Sequence, residues 1–499
     1  MQPAAAPTNE ARKAGLAYWA ARVLEECDKA SESFAADPVH DLRVAIRRCR
    51  SMADGFRSVD PDAAWKEMKR LAKPLFASLG DLRDTQVMLE WVAKLSEPQD
   101  ELGQELTATL LHKEAQLKTA AKDALARFDR KHWASVNEQL APRTSAIPLD
   151  GPVFQHLALE RWMDARELHR RALRNRSSAA WHQLRIGIKR FRYTVENFLP
   201  QRHEHWSRDL RDLQDALGEV HDLDVMRTLI KNHPSSHPGH KASWLRRIAE
   251  ERQRRLEMYR SKMVGRRSLW EAWRAGLPSG AELDAAGLEK LRTWASFLDP
   301  DLRHSGVVTR LTLALYDGLS HCGIFAAAPR DRQILEAGAI LHEVGRSKGS
   351  GSHQKRGQRM VTKLAPPLGW SSEDMRCLAA LVRFHRGRLP KPGDSAFVGV
   401  ESKRRGELLR LIGVLRLANA FDESHRGRLH ELTVTRHNDV IVVRARGLRL
   451  LSRDAERIAR ARYLLETVCR RPVQLRSLRA PRRAARKAAT PRRRAARAS

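Results

Sequence analysis

From Glu10 to about Gly276, apolar residues recur at spacings of three and four, as in AYWAARVLEECDKA and LKTAAKDALARFDRKHW. That period predicts amphipathic helices, each with an apolar stripe turned toward a core. Breaks are sparse: Pro38, Pro61, Pro142, Pro148, Pro200 and the HPSSHPGH stretch from His233. Long helices between few breakers predict antiparallel bundles. The segment AGLPSGAELD, residues 275–284, reads as a linker. A second helical stretch runs from about 287 to 475. It contains one β signal: ELTVTR, then Asn438-Asp439, then VIVVRAR, which predicts a two-stranded hairpin. From Arg476 onward, RSLRAPRRAARKAATPRRRAARAS carries ten basic residues, no acidic ones and little to bury. Such a segment predicts a disordered cationic tail. The expected fold class is all-α: two helical bundles, then an α-helical domain with a small β-hairpin.

The helical first half repeats itself. HDLRVAIRRCRS starts at His40 and HQLRIGIKRFRY at His182, and they align without gaps. Arg43 pairs with Arg185, Arg47 with Lys189, Arg48 with Arg190 and Arg50 with Arg192. Downstream, LGDLRDTQV (79–87) parallels LGEVHDLDV (217–225). One unit of three to four helices has been duplicated, with halves at about 12–140 and 155–278. On a helix, His40, Arg43, Arg47 and Arg50 fall within about 80° of arc and about 15 Å of axis. Val44 and Ile46, or Ile186 and Ile188, are expected on the core side. Like charges at these spacings repel by a few tenths of a kcal/mol per pair. A linear anion on the ridge would remove that cost. Arg70 and Lys73 match Arg208 and Arg211 one helix later and could extend the surface. Asp84 and Asp222, in the LGDLRD and LGEVHD segments, are candidates to hold the arginines in place.

Charge strengthens this reading. The 499 residues carry 92 Lys+Arg against 59 Asp+Glu, a formal charge of +33, and removing the tail still leaves +23. Such an excess attracts polyanions, and the planar guanidinium fork suits phosphate oxygens. Five scattered cysteines show no metal or redox spacing. The N-terminus lacks the apolar core of a signal peptide, and no run of about 18 apolar residues exists to span a membrane. A cytoplasmic protein is expected.

The twin HxxRxxx[RK]RxR helices, each followed by an LGxxxD segment, resemble the CHAD domain (conserved histidine α-helical domain) over roughly residues 12–278. The resemblance implies pseudo-symmetric four-helix bundles around a basic cavity, binding of inorganic polyphosphate, and association with polyphosphate granules. The implied binding residues are His40, Arg43, Arg47, Arg48, Arg50, His182, Arg185, Lys189, Arg190 and Arg192. The histidines have an alternative role as packing residues at the helix start.

The second half holds histidine–acid clusters: HSGVVTRLTLALYDGL from His304, ILEAGAILHEVGRSKGSGSHQKRGQRMV, LVRFHRGRLP and LLRLIGVLRLANAFDESHRG. Imidazole and carboxylate can gather one or two metal ions, which would polarise a phosphate and activate water. The order resembles the HD superfamily of metal-dependent phosphohydrolases. The nearer resemblance is to the helical C-terminal domain of the exopolyphosphatase / guanosine-pentaphosphate phosphohydrolase family, over about 290–475. It implies His304, His342, Glu343, His353, His385 and Asp422 as ligands for a divalent ion such as Mn, Fe, Zn or Mg. Two departures bear on this. The doublet is His342-Glu343 rather than His-Asp, and the longer side chain is expected to upset the site. The following loop is basic, which favours anions over cations. No glycine-rich phosphate loop of a catalytic partner domain is present. The region therefore reads either as a non-catalytic phosphate-chain holder or as a metal-dependent phosphohydrolase acting on polyphosphate or phosphorylated nucleotides. The tail adds non-specific affinity for granules or nucleic acid. Aromatic residues hardly interleave with the basic ones, apart from Phe191 and Tyr193, so bases would find few stacking platforms.

Overall fold

The computed structural model describes residues 15–234, 238–349, 351–391, 393–448 and 453–478. The basic tail, apart from its first three residues, lies outside them, as does any nucleic-acid contact it would make. The chain divides into two compact units. The first runs to Phe297 and takes in Pro366–Trp370, and the second holds the remainder from Leu298.

The first unit is helical: α1 (Leu16–Ser33), α2 (Ala36–Phe56), α3 (Ala64–Leu95), α4 (Glu101–Ala126), α5 (Arg130–Thr144), α6 (Pro152–Asn175), α7 (Ser178–Phe198), α8 (Pro200–Asn232), α9 (Pro238–Met263), α10 (Leu269–Ala275) and α11 (Gly280–Ser296). The duplication is visible in the boundaries. α2 and α7 each have 21 residues, and α3 and α8 have 32 and 33. Helix starts are set locally: Asp100, Asp129 and Ser177 each accept a backbone N–H from the first turn of α4, α5 and α7. Pro200 opens α8 at a position where its missing N–H costs nothing. Pro38 and Pro142, expected as breaks, lie near the ends of α2 and α5, inside them. α11 starts within the segment expected as a linker; Lys290 on it pairs with Glu160 of α6 at 2.7 Å.

α2 buries Val39, Leu42, Ala45, Ile46, Cys49, Met52, Ala53 and Phe56. Ile46 and Ile188 face the core as expected, but Val44 and Ile186 are only half-buried, and Ile186 lines a cavity. One core runs through both copies. At its centre Phe56 meets its counterpart Phe198 edge-on, with centroids 5.2 Å apart. A Cβ on Gly55 would lie 2.3 Å from the Phe198 ring, so glycine is required there. A second core joins the far ends of α3, α4, α8 and α9 around Trp91, Leu223 and Trp244.

The second unit contains α12 (Leu302–His321), α13 (Pro329–Leu341), α14 (His353–Thr362), α15 (Ser372–Phe384), α16 (Ser402–Phe421), β1 (Leu432–His437), β2 (Val440–Arg446), α17 (Arg453–Cys469) and β3 (Val473–Leu478). The predicted hairpin forms in the expected register, with Val434 opposite Val443, and Asn438 takes the left-handed conformation at the turn (φ 50°). The sheet has a third strand, however. β3 runs parallel to β2, returning through α17. It takes up residues 476–478, which the sequence assigned to the tail. VQLRSL is short and half-exposed, so its alternation is weak and its arginine reads as part of the basic run. Among the described residues no helix is long and apolar enough to cross a membrane.

Candidate functional site

In the first unit, α2 and α7 bring the basic ridges of both copies to one cavity of about 670 Å³. The first copy lines it with Arg47, Arg50, Arg57 and Lys69, and the second with Arg161, Lys189 and Arg190. Asp54 is the only carboxylate in the lining, and it pairs with Lys69. Three of the cations at or near the cavity are positioned by neighbouring groups. Arg47 donates from Nη1 to the Tyr193 hydroxyl at 2.9 Å. Arg43 donates to the Phe76 carbonyl at 3.2 Å. The guanidinium carbons of Arg43 and Arg50 both lie 4.9 Å from the Phe76 ring centroid. Gly80 of the LGDLRD segment leaves room for this, since a Cβ there would sit 2.8 Å from Arg43 Nη1. Arg50 Nη1 is buried with no hydrogen-bond partner.

The electrostatics record the crowding. Burial, then Arg47, Arg185 and Arg43, push the Lys189 ammonium down to about 7. Burial, then Arg47, bring Arg43 to about 10. A lysine of the second copy is thus held down by arginines of the first.

Other expected residues lie elsewhere. Arg48 is outside the cavity lining: it ion-pairs with Glu196 and donates to Asn197 Oδ1 at 3.0 Å. Arg192 approaches the same Glu196 at 3.6 Å. This carboxylate ties the two copies together. Arg70 is 69% exposed and paired with Glu67, so it does not extend the cavity. Lys73, Arg208 and Arg211 are also exposed and outside the lining. His40 is exposed; burial, Arg83 and Arg47 lower its pKa. His182 Nδ1 lies 3.2 Å from His221 Nδ1, and burial, then Arg185 and Lys189, lower its pKa. Among the described residues, no ion pair within 4 Å joins Asp84 or Asp222 to an arginine. Burial, opposed by Arg185 and reinforced by Asp84, pushes Asp222 up to about 6. The clamps are instead the Phe76 carbonyl, Tyr193 and Glu196.

Sequence reasoning missed Arg57, Lys69 and Arg161. Arg57 continues the stripe seven residues after Arg50 and was within reach of the periodicity. Arg161 comes from α6, outside the repeated motif, and carries no such signal.

In the second unit the six expected ligands converge. His304, His342, Glu343, His353, His385 and Asp422 are all at most 4% exposed. They come from the start of α12, the residues after α13, the start of α14, and the ends of α15 and α16. Their ligand atoms form two trios sharing Glu343: His304–His342–Glu343 and Glu343–His353–His385. The tautomers follow from the partners. His342 Nδ1 donates to the Ala339 carbonyl at 2.7 Å, His385 Nδ1 to the Val382 carbonyl at 2.8 Å, and His304 Nδ1 to Asp422 Oδ2 at 3.0 Å. Burial holds His342 and His385 neutral by lowering both pKa values. Their Nε2 lone pairs then face other acceptors. His342 Nε2 lies 3.3 Å from His304 Nε2, and His385 Nε2 lies 3.6 Å from Glu343 Oε1. Acceptors facing acceptors fit a cation, with the opposite ring nitrogens anchored as metal-ligating histidines require. The extra methylene of Glu343 does not remove it from the site, since Oε1 is 3.1 Å from His353 Nε2. Burial opposes ionisation of Glu343, but the hydrogen bond with His353 holds its carboxyl well below the usual range. The basic loop contributes Arg346, 3.0 Å from the other oxygen.

Three further residues complete the cluster. Asn419 Oδ1 lies 3.3 Å from His304 Nε2, His425 stacks on His304 at 3.8 Å, and Asp301 accepts from His425 at 2.7 Å. Arg416 is buried and donates to the carbonyls of Phe384 and Gly387, fixing the turn that carries His385.

Comparison with known proteins gives two family matches. Residues 15–231 match the CHAD domain, and residues 291–446 match the Ppx/GppA phosphatase, domain III. Among solved structures, the chain is similar to the crystal structure of the CHAD domain from the plant Ricinus communis. Identity is 24% and the TM-score 0.37, covering 54% of this chain and 90% of that one. No curated protein matches. The chain thus joins a CHAD domain, residues 15–231, to a Ppx/GppA phosphatase domain III, residues 291–446.

Proposed function

We propose that this protein binds inorganic polyphosphate in the cavity between α2 and α7. One observation carries the reading: Lys189 of the second copy is crowded by Arg43 and Arg47 of the first, in a cavity with seven cations and a single carboxylate. Such a pocket is under-compensated until an anion enters. Linear phosphate chains supply charge at close intervals along a flexible backbone, and each guanidinium can form charge-assisted hydrogen bonds to their oxygens. At Phe76, which lines the cavity, a nucleobase would compete with Arg43 and Arg50, both 4.9 Å from the ring centroid. The protein would collect in the cytoplasm where polyphosphate accumulates, including granules. Titration with polyphosphate of defined length, at several salt concentrations and beside duplex DNA, tests this. Polyphosphate should displace DNA at every salt concentration, with affinity falling steeply as salt rises. DNA binding that equals or exceeds polyphosphate binding would remove the reading.

A second reading is favoured by the cluster in the second unit: a metal-dependent phosphohydrolase acting on polyphosphate or a phosphorylated nucleotide. Either trio would hold a divalent ion, His304, His342 and Glu343 on one side and Glu343, His353 and His385 on the other, with Asp422 beside them. A bound ion would supply polarisation of a phosphoryl oxygen and a more acidic water. The chain's own part is orientation: Asp422 fixes the His304 tautomer, and Arg416 fixes the His385 turn. Elemental analysis of purified protein and phosphate release after His342→Ala test it. Protein free of Mn, Fe, Zn and Mg, with no phosphate release when these are added, would dispose of it.

A further inference from the structure

We propose that the second unit carries its own anion seat, on α14 and α15, for a compact oxyanion of the phosphate–pyrophosphate class. The seat is a cavity of about 240 Å³ whose lining includes Lys355, Arg359, Arg383, Arg388 and Asp394. Four cations against one carboxylate leave the pocket strongly positive. Asp394 does not serve all of them, because it is engaged by Arg388 at 2.8 Å and by the Lys391 backbone N–H at 2.7 Å.

Arg383 is the informative residue. It is 8% exposed, yet among the described residues it forms no hydrogen bond or ion pair. Its guanidinium carbon sits 5.0 Å from the Phe384 ring centroid, and that of Arg388 lies 5.5 Å from the same centroid. Phe384 in turn stacks on Phe397 at 5.7 Å, so the floor is rigid. Burial and then the neighbouring Arg388 lower the pKa of Arg383, and Asp394 offsets this only in part, so an anion entering the cavity would be favoured. Lys355 and Arg359 stand one helical turn apart on α14, both exposed at the mouth and both without an ion pair among the described residues. Like charges at that spacing repel. A multivalent oxyanion offsets both costs together, and the small volume of about 240 Å³ favours one or two phosphoryl groups. The inference needs neither the cavity of the first unit nor a metal.

The test is calorimetric titration of the full chain with pyrophosphate, in an Arg47→Ala/Lys189→Ala background that disables the first unit's cavity. One site should remain. Lys355→Ala/Arg359→Ala should weaken it at least about tenfold without altering the melting temperature, since both residues are exposed. Arg383→Gln should weaken it similarly. No residual site in the background chain, or an unchanged affinity in Lys355→Ala/Arg359→Ala, would overturn the proposal. Long-chain polyphosphate run in parallel identifies the source. Equal losses for both ligands assign the pocket to the end of a chain, and a loss for pyrophosphate alone assigns it to a free small anion. Should Arg47→Ala/Lys189→Ala leave polyphosphate binding intact, the proposed function fails while this seat stands or falls on its own variants.

Discussion

Arg47, from the first copy of the repeat, donates a hydrogen bond to the hydroxyl of Tyr193, from the second, at 2.9 Å. The bond crosses the pseudo-twofold relation and fixes a cation at the cavity wall. Tyr193→Phe keeps the ring and removes the acceptor. It should cost about 1 kcal/mol of stability, read as a lower melting temperature. Polyphosphate affinity should fall less than in Arg47→Ala, because the charge remains and only its anchor is lost.

The two copies differ at a matched glycine, which gives an internal control. A Cβ at Gly80 would press on Arg43 Nη1, whereas one at Gly218 would meet nothing within 4 Å. Gly80→Ala should therefore weaken polyphosphate binding severalfold with little change in unfolding. Gly218→Ala should be indistinguishable from wild type or slightly more stable, since alanine favours the helix. Gly55→Ala tests packing alone. Its Cβ collides with a buried ring that cannot retreat, so a loss of roughly 2–4 kcal/mol is expected in denaturant unfolding.

Lys189 makes the cavity sensitive to pH. Its folded value of about 7 lies below the ordinary 10.5, so the unfolded chain binds more protons between those values. Anion-free stability should rise with pH through that window, and Lys189→Met should flatten the rise. Binding runs the other way. A polyanion raises the lysine's pKa, so complex formation above pH 7 takes up a proton, and affinity falls as pH increases from 7 to 9. Calorimetry in buffers of different ionisation enthalpy reads the uptake directly, and Lys189→Arg should abolish it.

In the second unit, the shared carboxylate of the two trios is the sensitive point. Glu343→Gln keeps the shape and removes the charge. It should abolish tight retention of a divalent ion, measured by elemental analysis after dialysis, while the helical signal persists. Arg416→Met should reduce retention less, because it only loosens the turn that presents His385.

Much of this architecture was legible in the sequence because duplication repeats a local pattern. His40 to Arg50 and His182 to Arg192 fixed which helices matter and which residues are basic. Periodicity did not say which basic residues turn inward. Arg48 follows Arg47 directly in the motif, yet Glu196 claims it, and Arg70 and Lys73 on the next helix both face solvent, outcomes that depend on packing. Arg161 was hidden because it comes from a helix whose charges alternate in sign. In the second unit the six ligand candidates were readable as histidine–acid pairs in order. His425 and Asp301 were not, since their roles arise from stacking and a contact across 124 residues. The third strand was lost because three of its residues sit at the start of a basic run.

The central claim is that cations from both copies hold one anion together. The most direct measurement is the affinity of the full chain for polyphosphate of defined length in Arg47→Ala/Lys189→Ala, beside the exposed control Arg70→Ala/Arg208→Ala. Both remove two basic side chains. The cavity variant should bind at least about a hundredfold more weakly, with helicity unchanged, and the control should stay within about threefold of wild type. Equal losses in the two variants would mean that polyphosphate responds only to total charge, and the cavity would have no special part in its capture.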